Sequence, residues 1–155
     1  MEVTDLISPD AVFDNLKARS KKQALQELAD EAARIVGLQP RDIFDVLLQR
    51  ERLGSTGIGQ GVAIPHGKLA RLDRIYGVFA HLQSPIDFDS VDDEPVDTIF
   101  LLLAPEGAGA DHLKALARIS RLLRDGSILQ KLRNAHDRSA LYAILTEPTS
   151  SSHAA

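Results

Sequence analysis

The side chain best placed for chemistry is His66, near the end of a glycine-rich and then apolar run written GIGQGVAIPHGK over residues 57–68. Proline removes a backbone donor and restricts the residue before it, while glycine lets the backbone turn sharply or approach a ligand. Between Pro65 and Gly67, His66 is predicted at a strand end with little bulk on either side. These residues alone leave open both a nucleophilic imidazole and a purely structural histidine.

The glycine spacing argues against the two common nucleotide-binding loops. A dinucleotide fingerprint is G-x-G-x-x-G after a strand and before a helix, but residues 57–61 have G-x-G-x-G between a helix and a strand. A P-loop has four residues before its Gly-Lys and then Ser or Thr, whereas five residues separate Gly61 from Gly67 and a leucine follows Lys68. The simpler interpretation is a turn in which Gly57 and Gly59 supply positive φ angles.

Two further residues extend the chemistry. Helical spacing after Ile43 and Leu47 places Arg50 near an apolar stripe, where it either binds an anion or extends its stem to solvent. His112 shares a helix face with Leu116, and the dipole in a first helical turn disfavours its charged form. It is therefore either a neutral site residue or a core histidine with satisfied hydrogen bonds. Two histidines and an inward arginine together favour a site that handles phosphate on nitrogen.

Helical periodicity lies on both sides of this segment. Apolar residues recur at helical spacing in segments that begin near Ser20, Pro40, Asp111, Ser127 and Asp137. Ser20 and Ser127 each precede a glutamine by three positions, which is a capping-box pattern, and Asp111 is interpreted as the cap of its own helix.

The remaining periodicity indicates strands. Strands are predicted at 62–64, 75–82 and 96–104, the last apolar enough to be covered on both faces. Residues 83–95 are interpreted mostly as exposed loop, and their aspartates lack the spacing of an EF-hand, which favours a solvated acidic segment over a cation site. The sequence thus predicts a single α/β domain over 5–148 and a disordered tail at 149–155.

Composition narrows the functional classes. The chain has 155 residues and a formal net charge of -4, which argues against a general nucleic-acid binder. It has no cysteine, which excludes disulfides, thiolate metal sites and cysteine nucleophiles. The N-terminus lacks a signal-peptide pattern, and no apolar run approaches the ~20 residues that span a bilayer. We expect a cytoplasmic protein without membrane insertion.

Four segments resemble a known family. They are residues 50–69, GVFAHLQSPIDFD from Gly77, DDEPVDTIFLLLAP from Asp92 and DHLKALARISRLLRD from Asp111. Through them the chain resembles, from about Asp5 to Glu147, the IIA domain family (EIIA type 2, mannitol/fructose-like) of the bacterial phosphoenolpyruvate-dependent phosphotransferase system (PTS). Within that family it looks most like the nitrogen-regulatory branch.

The resemblance implies both a fold and a site. The fold would be a mixed parallel and antiparallel β-sheet of about five strands, flanked by helices on both sides. His66 would be phosphorylated on Nε2 (the tele position), and Arg50 and His112 would stabilise the phosphoryl group. Backbone or hydroxyl support is expected from Thr56, Gly57, Gly59 and Gly67. No metal, nucleotide or other cofactor is implied.

The resemblance also implies partners. The donor would be a phosphohistidine on an HPr-like carrier, called NPr in the nitrogen branch, which a paralogue of enzyme I charges from phosphoenolpyruvate. The phosphorylation state would regulate targets such as potassium-transport or sensor-kinase components, with effects on nitrogen and carbon metabolism. Two alternatives remain open: a sugar-transport EIIA that passes phosphate to a IIB domain, and an interaction module that uses no phosphate.

Overall fold

A computed structural model describes residues 1–148, and the tail predicted at 149–155 lies outside the described residues. The helices are α1 (Lys21–Val36), α2 (Pro40–Arg52), α3 (Gly109–Arg124), α4 (Gly126–Asn134) and α5 (Arg138–Leu145). The strands are β1 (Val12–Leu16), β2 (Gly57–Gly59), β3 (Val62–Ala63), β4 (His66–Leu69), β5 (Tyr76–Ile86) and β6 (Val96–Pro105).

The strands form one mixed sheet in the order β1-β5-β6-β3-β2, and β4 also pairs with β6. β5 and β6 are antiparallel, whereas β1 runs parallel to β5, and both β3 and β4 run parallel to β6. The predicted α/β class and mixed sheet are confirmed. Periodicity did not predict β1, β2 or β4, because strands of three to five residues contain too few alternations to be recognised.

The central strand β6 is covered on both faces, as its apolar sequence predicted. All residues from Thr98 to Ala104 are fully buried. Two adjacent residues of β4 show which helix covers each face of the sheet, because successive side chains of a strand point to opposite faces. A Cβ at Gly67 would collide with Val46 of α2, while the ring of His66 lies next to His112 of α3. The sheet therefore lies between α2 and α3.

Side chains cap three of the helices, and two of the predicted caps are wrong. Ser20 accepts from the N–H of Gln23 at the start of α1, but the Gln23 side chain accepts from Arg19 and not from Ser20, so only half of the capping box forms. The cap of α4 is Asp125, whose carboxylate lies two residues before Ser127 and accepts its N–H. α5 begins near Asp137 as predicted, and the Asp137 side chain is its cap.

The third predicted cap, Asp111, is also misplaced. α3 begins two residues earlier, at Gly109, with Ala108 in the cap position and no side-chain cap. His112 nevertheless lies in the first turn, where its N–H donates to the Ala108 carbonyl oxygen at 3.0 Å.

Most of the segment 83–95 is exposed loop, as predicted, but its first part extends a strand and some of its residues face inward. β5 continues to Ile86, after which Phe88 and Ser90 are buried while the intervening aspartates stay exposed. The inward-facing residues were not predicted, because they alternate with acidic residues that conceal the pattern. Within residues 1–148, no group of three or more His, Asp or Glu side chains is arranged to hold a metal ion.

A search for membrane-spanning helices among residues 1–148 finds none with the length and apolar character required to cross a bilayer.

Candidate functional site

His66 stands at the first position of β4, directly after a break in the strand pairing along β6. β3 ends at Ala63, and β4 begins three residues later with His66 opposite Leu102. Pro65 lies in the break, where its missing N–H costs no sheet bond, and its carbonyl oxygen accepts from the N–H of Leu102 at 3.0 Å. The ring of His66 is half-buried, whereas residues 61–65 are all buried. The break thus brings one imidazole to the surface of an otherwise buried segment.

Hydrogen bonds fix the protonation of His66. Its Nδ1 lies 2.9 Å from the carbonyl oxygen of Ile64, and because a carbonyl only accepts, Nδ1 carries the proton and donates. Its Nε2 accepts from Nε–H of Arg50 at 3.2 Å, so this nitrogen carries a lone pair. Burial is the main effect that lowers the pKa of His66, and the Arg50 charge lowers it further, against the Ile64 hydrogen bond and the Glu51 charge, which raise it. The resting imidazole is therefore neutral, with a nucleophilic Nε2.

Arg50 reaches the site from the last turn of α2, where it is half-buried. Besides its bond to His66, its Nη1–H donates to the carbonyl oxygen of Gly54 at 2.9 Å. A guanidinium held at two of its nitrogens has a defined plane, which suits recognition of a phosphoryl group. Its neighbour Arg52 lies on another face of the helix and is exposed.

His112 faces His66 from the N-terminal turn of α3. The two ring centroids are 5.5 Å apart, with planes inclined by 51°. His112 is only 6% exposed, and its Nδ1 is buried without a hydrogen-bond partner in the described chain. Burial lowers the pKa of His112 most, followed by the charges on His66 and Lys68. The prediction of a neutral ring agrees with this direction, although burial and not the helix dipole is its main cause.

The donors of two predicted supporting residues already have hydrogen-bond partners within the protein. Both the N–H and the hydroxyl of Thr56 donate to the carboxylate of Glu51. The N–H of Gly57 donates to Oγ of Ser55 at 3.0 Å. Gly57 also does not have the positive φ angle predicted for it; it is required because a Cβ there would collide with Ser90.

For the other two predicted supporting residues the structure shows a requirement for glycine in backbone shape and in packing. Gly59 has the predicted positive φ, at 105°, in the turn between β2 and β3. Gly67 provides the space that lets α2 approach β4 at Val46. The structure therefore brings Arg50 and His112 to His66, and it places the four predicted supporting residues in the frame around that trio.

Sequence reasoning missed one charged residue, Glu51. It is 8% exposed, and its Oε1 lies 3.0 Å from Nζ of Lys21 at the start of α1. The signal was present in the helical spacing, because Glu51 lies four residues after Leu47 and eight after Ile43, on the buried face of α2. An acidic residue on that face, next to a proposed anion-binding arginine, should have been noticed.

A comparison with protein families matches residues 5–147 to the phosphoenolpyruvate-dependent sugar phosphotransferase system, EIIA 2. The chain belongs to this family. Its members are the EIIA phosphotransfer components of the PTS.

Individual relatives refine the placement within the EIIA family. The chain is 62% identical over 148 residues to the nitrogen regulatory protein of Bradyrhizobium diazoefficiens, with 96% of this chain and 97% of that protein covered. It is 35% identical to the nitrogen regulatory protein IIA-Ntr of Neisseria meningitidis, whose crystal structure covers 93% of this chain and 99% of its own, with a TM-score of 0.88. The expected likeness to the nitrogen-regulatory branch is thereby confirmed.

A sugar-specific relative is also similar to this chain. The chain is 34% identical over 151 residues to the PTS system fructose-specific EIIA component of Haloferax volcanii, with 95% of this chain and 98% of that protein covered. Chain length therefore does not separate the nitrogen-regulatory proteins from sugar-specific EIIA components.

Proposed function

We propose that this EIIA protein is a phosphocarrier that accepts a phosphoryl group on Nε2 of His66 and regulates other proteins by its phosphorylation state. The observation that carries the proposal is the hydrogen bond between His66 Nδ1–H and the Ile64 carbonyl oxygen, because it leaves Nε2 as the nitrogen with a lone pair. The family membership and the nearby Arg50 support it.

In the transfer step, the Nε2 lone pair attacks phosphorus as the bond from phosphorus to the donor imidazole nitrogen breaks. The donor nitrogen keeps the electron pair of that bond, and His66 retains its Nδ1 proton. Phosphoryl transfer goes through a loose, in-line transition state in which positioning and charge stabilisation contribute most. The protein must therefore supply geometry and donors, and the positions of Arg50 and His112 next to His66 support this proposal.

Arg50 and His112 have different parts in this step. Nε–H of Arg50 bonds the attacking lone pair at rest, so the guanidinium must move off Nε2 and bond the incoming phosphoryl oxygens. For His112, a buried Nδ1 without a partner is less costly as a bare lone pair than as an N–H, which favours the Nε2–H tautomer. That tautomer gives a neutral ring with one donor for a phosphoryl oxygen.

The regulatory part of the proposal rests on the position of His66 and on the relatives. A phosphoryl group adds negative charge and acceptor oxygens, and His66 is the half-buried residue at the surface of its segment. A partner that contacts this surface can therefore distinguish the two states. By similarity to the nitrogen regulatory proteins, we assign the donor to an HPr-like carrier (NPr) in the cytoplasm, and the targets to components of the potassium-transport or sensor-kinase kind.

The proposal is tested by reconstituting the relay. The protein is incubated with phosphoenolpyruvate, the enzyme I paralogue and the HPr-like carrier, and its intact mass is followed with time. The expected product carries one phosphate that is labile in acid and stable in base, as a phosphorus–nitrogen bond requires, and His66→Ala carries none. An unchanged mass would support the phosphate-independent interaction module, and a label that persists in His66→Ala would refute the site.

The similarity to a fructose-specific component favours a second candidate, a sugar-transport EIIA. This candidate predicts that the phosphorylated protein transfers its phosphate to a cysteine of a sugar-specific IIB domain, with turnover that depends on the sugar. Mixing the phosphorylated protein with such a domain decides between the two, since a regulatory protein retains its phosphate over the same period.

A further inference from the structure

A buried carboxylate lies beneath the proposed phosphorylation site. Oε1 of Glu51 accepts from the Thr56 N–H at 3.0 Å, and Oε2 accepts from the Thr56 hydroxyl. Oε1 also lies 3.0 Å from Nζ of Lys21, whose side chain is mostly covered. A buried carboxylate persists only when it is paired and hydrogen-bonded, and these three bonds satisfy that requirement. Its location is unexpected, because a negative charge opposes the approach of a phosphoryl group.

The contacts of Thr56 continue from Glu51 to the nucleophile. The carbonyl oxygen of Thr56 accepts from the N–H of Ile64 at 3.0 Å. The carbonyl oxygen of Ile64 in turn accepts from Nδ1–H of His66 at 2.9 Å. The Glu51 carboxylate thus bonds Thr56, and Thr56 bonds Ile64. The Ile64 carbonyl oxygen in turn sets which nitrogen of His66 carries the proton.

From this path we infer that Glu51 is a positioning residue for His66, with Lys21 as its counter-ion: it acts through Thr56 and Ile64 to keep His66 in the Nδ1–H tautomer. The inference rests on the proposed function, since that tautomer is the one that attacks through Nε2. It also explains the location of the negative charge. Lys21 offsets the charge, and the geometry that the carboxylate imposes is retained.

Electrostatics give the inference a distinctive signature. The charged or titratable groups around His66 are Arg50 and Glu51 from α2 and His112 from α3, and the Glu51 charge raises the pKa of His66. Removal of that charge should lower the pKa. Removal of Lys21 should raise it, because the carboxylate then acts without its counter-ion. The opposite shifts test whether the two charges act on His66, and a change of tautomer tests whether Glu51 positions the ring, since a role in packing alone predicts no tautomer change.

The test uses histidine nitrogen NMR on the full-length, unphosphorylated protein, so it does not depend on any phosphoryl donor. In the wild-type protein we expect His66 in the Nδ1–H tautomer. Glu51→Gln keeps the size but cannot accept from both groups of Thr56, so the Nε2–H tautomer should appear and the titration midpoint of His66 should fall. In Lys21→Met the midpoint should rise.

The matched control is Asp89→Asn. Asp89 is an exposed carboxylate 3.8 Å from Lys21 that takes no part in the path, and asparagine tolerates its positive φ of 55°. We expect Asp89→Asn to change neither the tautomer nor the titration midpoint of His66.

Phosphoryl transfer provides the functional readout. The initial transfer rate of Glu51→Gln should fall at least about tenfold, which is less than the roughly 10⁴-fold loss that a wrong histidine tautomer causes in serine proteases. If Glu51→Gln fails to fold, Thr56→Val decides, since it removes one of the two bonds to the carboxylate and should give the same tautomer change to a smaller extent.

Unchanged tautomer and midpoint in a folded Glu51→Gln, or in both Thr56→Val and Lys21→Met, would overturn the inference. Failure of the wild-type protein to accept phosphate would instead refute the proposed function, while the tautomer result would still stand.

Discussion

The strand break that carries His66 and the helix start that carries His112 hold similar rings in opposite ways. Both nitrogens of His66 have hydrogen-bond partners, one on the backbone and one on Arg50. His112 is more deeply buried, yet its Nδ1 has no partner among the described residues. A ring whose tautomer is fixed suits a nucleophile, and a neutral ring that keeps one donor suits a stabilising group. The same side chain can therefore serve two roles, because its hydrogen bonds differ between the two positions.

The largest expected effect is on phosphoryl transfer, when each histidine in turn is replaced by alanine. His66→Ala should accept no phosphate, whereas His112→Ala should still accept it about 10²-fold more slowly, the usual cost of one lost transition-state donor. Intact mass against time in the reconstituted relay measures both. Phosphate on His66→Ala at any rate above background would reverse the assignment of roles.

Replacement of Arg50 should also slow phosphoryl transfer to His66. Arg50→Ala removes the guanidinium that bonds Nε2, and we expect transfer to slow by about 10²-fold or more with the fold largely intact. Arg50→Lys should recover only part of the rate, because an ammonium lacks the planar fork of donors. Circular dichroism on both variants provides the control, since unfolding of Arg50→Ala would indicate that Arg50 serves packing.

Protonation of His66 and His112 at low pH should affect both phosphoryl transfer and stability. Burial keeps the pKa of each below the ordinary 6.5, so the transfer rate should stay level as pH falls to 6.5 and decline only below it. The unfolded chain binds these protons first, because its histidines keep the ordinary pKa. The free energy of unfolding should therefore decrease as pH falls from 6.5 towards the folded pKa values, and these two groups should leave it unchanged above. NMR titration of each ring and urea unfolding at several pH values measure these effects.

The smallest expected effect concerns stability. His112→Leu removes a buried nitrogen without a partner and should raise the free energy of unfolding by up to about 1 kcal/mol, while His66→Leu removes a satisfied hydrogen bond and should lower it by about 1 kcal/mol. Urea unfolding of both variants at pH 7.5 tests the contrast. If both substitutions destabilise equally, the two rings do not differ in hydrogen bonding as described.

The sequence was most informative where a pattern was long or a residue was constrained from both sides. α1 and α2 follow from sustained periodicity, β6 follows from a long apolar run, and the segment around His66 is defined by Pro65 and Gly67. Arg50 was placed on the inward side of α2 by spacing alone. Each of these predictions depends on residues close together in the chain.

The missed features depend on distant residues. Helical spacing places Glu51 on the buried face of α2, but its contacts with Lys21 and Thr56 cannot be inferred from α2 by itself. Gly57 is a glycine because Ser90 packs against it, not because of its φ angle. The inward packing in segment 83–95 likewise comes from bonds to residues 55–60, such as Ser55 Oγ–H to the Phe88 carbonyl oxygen at 2.7 Å and Gln60 N–H to the Asp92 carboxylate at 2.9 Å.

The close approach of Gly67 to Val46 affects how a mutational scan of this protein is interpreted. Any larger side chain at Gly67 pushes α2 away from the sheet, and Arg50 is carried by that helix. Substitutions there would abolish phosphoryl transfer and so appear to mark a reactive residue, although Gly67 has no side chain that could react. Loss of activity on substitution of Gly67 would reflect the short distance between α2 and β4. A compensating Val46→Ala change, which restores that distance, separates such a spacer from the residues that do the chemistry.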